Sequence, residues 1–279
     1  MQFWQGKVVL VTGGSRGLGL AVACEAARQG AHVAISARDP QPLAQAAQQV
    51  AAAAKSPQPA RNAGGCWSRP ADATDALQMQ SLVAAVLETF GRLDAVIHCV
   101  GRSARAAAKD TPPQAFRELW EINFLTAVHC AAAARPALEA WRGSLVLIGS
   151  LASKMAGWHL GAYPASKFAL AAYAQQLRLE LAPQGVHVLL VCPGPIRRED
   201  AGQRYAVQAA GLPPAAAQPG GGVRLRGIDP VHLARRILTA CQRRQPELVV
   251  PASARLLFAL AQLSPRLGDW IMTRMIRSS

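Results

Sequence analysis

The sequence is short of acidic and aromatic residues. Its 279 residues include 16 Asp and Glu against 30 Lys and Arg, a formal net charge of +14, and aromatic side chains make up only 5%. Nucleic-acid-binding surfaces combine clustered cations with aromatic platforms, whereas here the basic residues are spread along the chain. We therefore expect no nucleic-acid partner. The charge favours other anionic partners, such as a phosphorylated cofactor or an acidic lipid.

Paired cysteines and long apolar runs are also missing. The six cysteines stand at isolated positions, without zinc-ligand spacing: Cys24, Cys66, Cys99, Cys130, Cys192 and Cys241. This pattern predicts reduced thiols and no metal site. The sequence contains no run of about 18 apolar residues, the length that a bilayer-spanning helix needs. The opening MQFWQGKVVLVTGG lacks a signal-peptide pattern. The sequence predicts a cytoplasmic protein that lies, at most, on a membrane surface.

Short β-branched runs alternate with Ala-rich helical stretches along the chain. The predicted strands are Lys7–Thr12, His32–Ser36, Cys66–Ala71, Ala95–Val100, Ser144–Gly149, Val186–Val191 and Glu247–Val250. The predicted helices are Leu18–Gln29, Pro42–Ala54, Ala76–Phe90, Pro113–Ala140 with a break near Pro136, Tyr163–Leu181 and Pro230–Arg243. Such alternation indicates an α/β fold, a single Rossmann-type doubly wound parallel sheet with helices on both faces.

No linker or repeat divides the sequence, so residues 1–279 are predicted to form a single dinucleotide-binding and catalytic domain. Segment 197–227 breaks the alternation with a Pro pair and three consecutive glycines, and long irregular segments in compact domains are commonly functional. We predict a substrate lid there, lined by Leu212, Ala215–Ala217 and Val223. Residues 252–279 are predicted to form a C-terminal helical extension.

A glycine-rich loop follows the first strand and opens directly into a helix, with the pattern T-G-x-x-x-G-x-G. Gly13 permits the tight turn, Gly17 lets the backbone approach a pyrophosphate, and Gly19 lets the helix pack on the strand. The helix N-terminus offers N–H groups and partial positive charge to phosphates. Together with Ser15, Arg16 and Leu18, these glycines are the cofactor-binding residues predicted in this loop.

The second strand ends without the carboxylate that would bind the adenosine ribose of NAD. Ala37 stands at that position and Arg38 follows it, while Arg16 supplies a second cation from the loop. Two guanidiniums suit a 2′-phosphate, so the predicted cofactor is NADP(H). Asp72, at the end of the third strand, is either an adenine contact or a turn residue.

Tyr163 and Lys167 are spaced i, i+4 and therefore share one helical face. An ammonium beside a phenol favours the phenolate, so Lys167 is predicted to lower the pKa of Tyr163 and let it exchange a proton with a carbonyl or alcohol oxygen. Ser150, at a strand end, can donate a hydrogen bond to the same oxygen. By itself, such a Tyr–Lys pair is also common on ordinary amphipathic helices.

The glycine loop, Ser150, Y-x-x-x-K and Pro193-Gly194 together resemble the short-chain dehydrogenase/reductase family, from about Lys7 to Ile196. The resemblance implies that Ser150 orients the substrate, Tyr163 is the acid/base and Lys167 holds the nicotinamide ribose. It also implies that Asn123 anchors a proton-relay water and that Gly101 approaches the cofactor. The nicotinamide would be covered by Pro193, Gly194 and Ile196. Finally, the resemblance implies a homodimer or tetramer in which helices 113–140 and 163–181 pair.

Two departures from that family stand out. His98-Cys99-Val100-Gly101 replaces the usual N-N-A-G; His98 suggests catalysis or metal binding, but a hydrogen-bonded structural histidine is the simpler interpretation. Arg197-Arg198 occupies the place where the family often has a threonine near the cofactor amide.

The leading hypothesis is an NADPH-dependent reductase of a hydrophobic, lipid- or steroid-like carbonyl substrate; the alternative is a non-catalytic NADP(H)-binding sensor or scaffold. The C-terminal helices leave two interpretations open. Their apolar faces, with Trp270 and several arginines, suit either a membrane interface or a cover over the substrate pocket or a partner subunit.

Overall fold

The computed structural model describes residues 3–54, 66–198, 205–218, 220 and 226–277, with the side chains of 215 and 275–277 excepted. One parallel sheet runs through these residues. Its seven strands are β1 (Val8–Thr12), β2 (His32–Ala37), β3 (Trp67–Pro70), β4 (Ala95–His98), β5 (Ser144–Ile148), β6 (His187–Pro193) and β7 (Glu247–Val250). They lie in the order β3-β2-β1-β4-β5-β6-β7, every pair parallel.

Helices cover both faces of the sheet, as predicted. The helices are α1 (Gly17–Arg28), α2 (Pro40–Ala53), α3 (Ala76–Phe90), α4 (Pro113–Trp120), α5 (Thr126–Ala140), α6 (Tyr163–Leu181), α7 (Pro230–Gln242), α8 (Ala254–Leu263) and α9 (Pro265–Arg277). Buried side chains of α1, α2 and α7 form one core cluster with the sheet, and those of α3, α5 and α6 form the other. Both clusters are nearly free of charge, because a strand buried on both faces has no solvent-facing side.

The strand order reverses between β1 and β4, so the carboxyl ends of these two strands open a crevice at the point where such sheets bind their ligands. The loop after β1 and the segment after β4 line this crevice. The sheet topology therefore places the predicted phosphate loop beside Gly101, although 88 residues separate Gly13 from Gly101 in the sequence.

The predicted break in the long helical region is wrong in position. Helix α5 continues through Pro136, while a π-helical turn at Glu121–Leu125 separates α4 from α5. Pro136 cannot donate to the carbonyl of Ala132, but both residues are exposed, so that carbonyl faces solvent. Burial of Ala134, Ala137 and Leu138 holds the rest of the helix in place.

Most other boundaries differ from the predictions by one or two residues, which is the usual uncertainty of helix and strand ends. Residues 55–65, expected to be a loop, lie outside the described residues. Among the described residues, no helix is long and apolar enough to cross a membrane.

Candidate active site

The loop between β1 and α1 is rich in glycine and turns tightly into the helix. A Cβ on Gly19 would overlap the carbonyl oxygen of Gly13, so only glycine permits this close turn. Gly17 begins α1 with a φ of +57°, in the left-handed region that favours glycine. The first turn of α1 contains no acidic residue, and its N-cap Arg16 makes no side-chain capping bond. This helix end fits the diphosphate of a dinucleotide.

The adenosine end of the crevice carries both predicted cations. Arg16 and Arg38 are exposed and line the same cavity, together with Ser15, Leu18 and Asp72. Asp72 Oδ1 accepts hydrogen bonds from the backbone N and the Oγ1 of Thr74, each at 2.9 Å. Asp72 is thus both a turn residue and a cavity-lining residue. Asp39, next to Arg38, also lines the cavity, and the sequence analysis did not single it out.

Ser150, Tyr163 and Lys167 meet where β5 and α6 face the cavity. Ser150 follows β5, Tyr163 is the first residue of α6, and the Ser150 and Tyr163 side chains are hydrogen-bonded. Lys167 Nζ donates to the carbonyl of Ile148 at 2.8 Å and lies 6.0 Å from the centroid of the Tyr163 ring. All three line the cavity, in an arrangement suited to proton transfer with a bound carbonyl oxygen.

The expected pKa of Tyr163 needs correction. Burial raises the pKa of Tyr163 to about 12, and the hydrogen bond from Ser150 opposes that rise. Burial also lowers the pKa of Lys167 to about 8. Desolvation of the phenolate therefore sets the direction of the shift, which is opposite to the predicted lowering by Lys167, whose ammonium donates to the Ile148 carbonyl.

Asn123 is fully buried in the π-helical turn and ties three segments together. Its Oδ1 accepts from the backbone N of Arg102 at 2.8 Å, and its Nδ2 donates to the Arg102 carbonyl at 2.9 Å and to Ser166 Oγ at 3.0 Å. A Cβ on Gly101 would lie 2.9 Å from Asn123 Oδ1 and 3.4 Å from Lys167 Nζ. The backbone at Gly101 therefore approaches both side chains closely, and the predicted water relay through Asn123 stays a prediction.

His98 is buried beneath the cavity with both ring nitrogens hydrogen-bonded. Nδ1 lies 2.8 Å from Thr12 Oγ1 and Nε2 lies 3.1 Å from Thr126 Oγ1. Because Thr126 Oγ1 donates to the Ile122 carbonyl, Nε2 must donate to Thr126, and Nδ1 accepts from Thr12. Burial lowers the pKa of His98 to about 3. It is therefore a neutral structural residue.

The segment after β6 closes the crevice from the other side. Pro193, Gly194 and Ile196 line the cavity. The backbone N of Gly194 donates to the Val250 carbonyl at 2.8 Å, and Ile196 pairs with Ile228 in an isolated bridge. Gly101 and this segment thus line the same cavity, and their predicted contacts with the nicotinamide stay a prediction.

The substrate end of the cavity differs from the predicted lid lining. Leu212, Ala216 and Ala217 do not line the cavity, and Val223 and the Ala215 side chain lie outside what the structure describes. The apolar lining comes instead from Leu151, Met155, Leu160, Leu257, Phe258 and Met272. Cofactor and substrate ends together enclose about 730 Å³. Ala216 is buried, and its carbonyl accepts a hydrogen bond from Arg105.

Two arginines in the cavity were not among the predicted site residues: Arg105 was not named at all, and Arg198 was named only as a departure from the family pattern. Arg105 is 5% exposed and donates to the carbonyls of Ala216 and Gln218, at 2.8 and 3.2 Å. Arg198 Nη2 lies 3.8 Å from where a Cβ of Gly17 would be. Neither belongs to a motif with regular spacing, so only the tertiary structure reveals them. Among the described residues, no cluster of three or more potential metal ligands is found.

The fold and this constellation agree with comparisons to known proteins. A family model described as short chain dehydrogenase matches residues 7–206. A Drosophila melanogaster protein named dehydrogenase/reductase SDR family protein 7-like is 30% identical over 96% of this chain and 80% of its own length. The chain belongs to the short-chain dehydrogenase family. It is therefore an oxidoreductase of a family that acts on CH–OH groups of small molecules with NAD(P)(H) and often forms oligomers.

Other relatives, matched over a smaller share of this chain, differ in what their names say they act on. A 3-dehydrosphinganine reductase of Danio rerio is 30% identical over 67% of this chain and 56% of its own length. An L-fucose dehydrogenase of Mus musculus is 32% identical over 69% of this chain and 66% of its own length. A solved short-chain type dehydrogenase/reductase from Mycobacterium ulcerans superposes with a TM-score of 0.72 at 26% identity, over 88% of each chain.

Proposed function

We propose that this protein is an NADPH-dependent reductase of a hydrophobic ketone. The observation that carries the proposal is one continuous cavity. The phosphate loop and two exposed arginines lie at one end of it, the Ser150–Tyr163 pair lies in its middle, and apolar side chains lie at the other end.

In this mechanism the ketone oxygen sits between Ser150 and Tyr163. Ser150 donates a hydrogen bond that polarises the carbonyl, and Tyr163 gives its proton to the oxygen as the alcohol forms. Lys167 binds the nicotinamide ribose, and Asn123 keeps the backbone after β4 in place and anchors the relay water. The bound cofactor supplies the hydride to the carbonyl carbon. Gly101, Pro193, Gly194 and Ile196 hold the nicotinamide face, while Gly13, Ser15, Gly17, Leu18 and Gly19 hold the diphosphate.

The choice of NADP(H) over NAD(H) rests on charge at the adenosine end. Arg16 and Arg38 are both exposed there, so their guanidiniums are accessible to a 2′-phosphate. Ala37 leaves no carboxylate at the end of β2 to bind the ribose hydroxyl. Asp72 contributes to the adenine pocket.

The preference for a hydrophobic ketone rests on the lining of the substrate end. Leu151, Met155, Leu160, Leu257, Phe258 and Met272 offer an apolar surface, and burying apolar substrate surface there gains about 25 cal/mol per Å². The relative named as a 3-dehydrosphinganine reductase favours a lipidic ketone. Segment 197–227 acts as the lid over this end within one domain, residues 1–279.

A panel of ketones tests the proposal. Purified protein with NADPH, followed by loss of reduced-cofactor absorbance, should turn over long-chain 3-keto lipids or steroid ketones faster than short ketones and sugars, and faster with NADPH than with NADH. Tight NADPH binding without turnover of any substrate would favour the alternative, a sensor or scaffold. Preference for a sugar would contradict the assignment of the apolar cavity.

We also propose a homo-oligomer formed through α4 and α6. These two helices present exposed large apolar side chains on the described surface: Phe116, Trp120, Phe168 and Leu179. Light scattering should report a dimer or tetramer, and Leu179→Glu combined with Phe168→Glu should shift it to the monomer. Leu77→Glu, an equally exposed change on α3, should leave the mass unchanged.

The C-terminal extension, residues 252–279, is proposed to cover the pocket with one side and to face a membrane with the other. Leu257, Phe258 and Met272 line the cavity, whereas Leu263 and Trp270 are 82% and 54% exposed. Cationic side chains on the same two helices, Arg255, Arg266 and Arg274, suit anionic lipid. The protein is otherwise assigned to the cytoplasm, since none of its six cysteines is in a disulfide.

Vesicle co-sedimentation tests the membrane contact. Vesicles of phosphatidylcholine with phosphatidylserine should pellet the wild type at low salt, and Leu263→Glu with Trp270→Glu should abolish pelleting without loss of activity on a soluble ketone. Leu77→Glu is the matched control. Equal pelleting of all three proteins, or of none, would contradict the membrane contact and leave only the pocket cover.

A further inference from the structure

Arg198 faces the phosphate loop from the opposite wall of the crevice. It lies two residues after Ile196, whose bridge to Ile228 fixes the backbone there, and its Nη2 is 3.8 Å from the position that a Cβ of Gly17 would take. Gly17 is the first residue of α1. A guanidinium from the β6 side is therefore within reach of any group seated on the N-terminus of α1.

The neighbouring Arg197 is used differently. Its Nη2 pairs with Asp229 Oδ2 at 3.2 Å, and its backbone N donates to the Ile228 carbonyl at 2.8 Å. This pairing directs Arg197 towards the start of α7 and away from the loop. Of the two consecutive arginines, Arg198 alone is among the residues that line the cavity.

The helix end that Arg198 approaches is positive. Arg16 caps this helix end without a side-chain capping bond, the first turn of α1 has no acidic residue, and the helix N-terminus itself carries a partial positive charge. An anion seated here would be attracted by the helix end and by both guanidiniums. A dinucleotide bound in the crevice would place its diphosphate at this helix end.

We propose that Arg198 binds the diphosphate of the dinucleotide, opposite the N-terminus of α1. This contact is the same for NADPH and NADH, whereas the proposed contact of Arg38 is with the 2′-phosphate, which only NADPH carries. The inference rests on the proposed function in one respect, that this crevice binds the dinucleotide. A guanidinium can form two parallel hydrogen bonds to phosphate oxygens, which a threonine at this position cannot. Because segment 197–227 begins here, the same contact links cofactor binding to the lid.

Binding measurements on three variants test the assignment. Calorimetric titration with NADPH, NADH and ADP-ribose, none followed by turnover, should find that Arg198→Thr weakens all three by the same factor, about tenfold or more. Arg198→Lys keeps the charge but cannot form two parallel hydrogen bonds, so it should weaken the binding of all three ligands less than Arg198→Thr does. Arg197→Thr is the adjacent control and should change each Kd by less than about twofold, because an exposed ion pair contributes little.

Other outcomes would overturn the assignment in distinguishable ways. Loss of affinity for NADPH alone would move Arg198 to the 2′-phosphate, and loss for NADPH and NADH but not ADP-ribose would move it to the nicotinamide. Unchanged affinities for all three would remove it from the site. If the wild type itself bound neither NADPH nor NADH, the proposed function would fail instead. Arg198 is exposed, so thermal unfolding of the variants should match the wild type.

Discussion

The two ends of the cavity are built in different ways. At the cofactor end, the phosphate loop and the arginine after β2 come from one β–α–β stretch near the start of the chain. The shape of the loop is set mainly by backbone conformation at its glycines. At the substrate end, the lining comes from segments near residues 105, 155, 205 and 258, which only tertiary packing brings together.

The difference is also chemical. The cofactor end is polar and cationic, with its arginines exposed, whereas the substrate end is apolar and contains one deeply buried arginine, Arg105. Every member of the family binds a nicotinamide dinucleotide, so the site for its shared part can be encoded in a short pattern of residues. The substrate varies, so its site is formed by loops and terminal helices that change independently of the sheet.

The largest expected effect separates chemistry from cofactor binding. Tyr163→Phe removes the proton donor but keeps the ring, so kcat should fall by at least about 300-fold while the Kd for NADPH stays within about twofold. Single-turnover kinetics and titration measure the two quantities. If the variant retains more than about a tenth of the wild-type kcat, Tyr163 is not the acid. Parallel loss of cofactor affinity would mean that the two ends are not independent.

The second change tests the cofactor end alone. Arg38→Asp places a carboxylate where the ribose hydroxyl of NADH would bind and repels a 2′-phosphate, so the Kd for NADPH should rise roughly 30-fold and the Kd for NADH should fall. The KM for the ketone should not change. Arg69→Asp, a change at an exposed arginine of β3 that does not line the cavity, is the control. A wild type that binds NADH as tightly as NADPH would contradict the assignment.

The sheet and the cofactor end could be predicted from sequence because their signals are local. Alternating β-branched and Ala-rich segments indicate strands and helices one after another, and the predicted α3, α6 and β7 match the observed bounds. Gly13, Gly17 and Gly19 are required by a turn only a few residues long. Once a parallel sheet is inferred, its carboxyl ends bring Gly101, Ser150 and Pro193 to the same edge.

The remaining features depend on contacts that no local pattern encodes. Pro136 does not break α5, because its face is exposed and the opposite face is packed. The π-helical turn at Glu121–Leu125 exists where Asn123 bonds to Arg102 and Ser166. The pKa of Tyr163 is set by burial, which spacing to Lys167 does not reveal. The predicted lid lining is wrong for the same reason, since the apolar residues that line this end come from segments distant in sequence.

The third prediction concerns His98, which is buried at the carboxyl end of β4. Burial lowers its pKa from 6.5 to about 3, so below pH 6.5 the unfolded chain binds a proton that the folded protein excludes. The stability that this neutral histidine contributes is present above pH 6.5 and is lost as the pH falls towards 3. By pH 5 the loss should reach about 2 kcal/mol.

Denaturant unfolding at pH 7.5 and pH 5 measures this loss. His98→Asn removes the titrating group, so its unfolding free energy should fall by about 2 kcal/mol less than that of the wild type over the same pH interval. Both proteins keep His187, whose pKa is also lowered by burial, and its contribution cancels in the comparison. Equal pH dependence in both proteins would mean that His98 can be protonated in the folded state.

The smallest expected effect tests the substrate end. Arg105 contacts the proposed lid at several points: it donates to the Ala216 and Gln218 carbonyls, its backbone N donates to Gln208 Oε1 at 3.2 Å, and its guanidinium lies 3.8 Å from the Tyr205 ring centroid. Tyr205 and Gln208 belong to an earlier part of the segment than the two carbonyls. One buried side chain thus joins two parts of the proposed lid.

Arg105→Met keeps the length of the side chain but leaves those carbonyls without their donor, so the lid should lose its fixed position. The KM for the ketone should rise about tenfold, tryptic cleavage within 197–227 should become faster, and the Kd for NADPH should stay within about twofold. Arg105→Lys retains one donor group, so its KM and its rate of tryptic cleavage should lie between those of the wild type and of Arg105→Met. If ketone KM and lid cleavage are unchanged in Arg105→Met, the lid is held by its own packing. If NADPH affinity falls as well, Arg105 couples the two ends of the cavity, and the separation drawn between them is wrong.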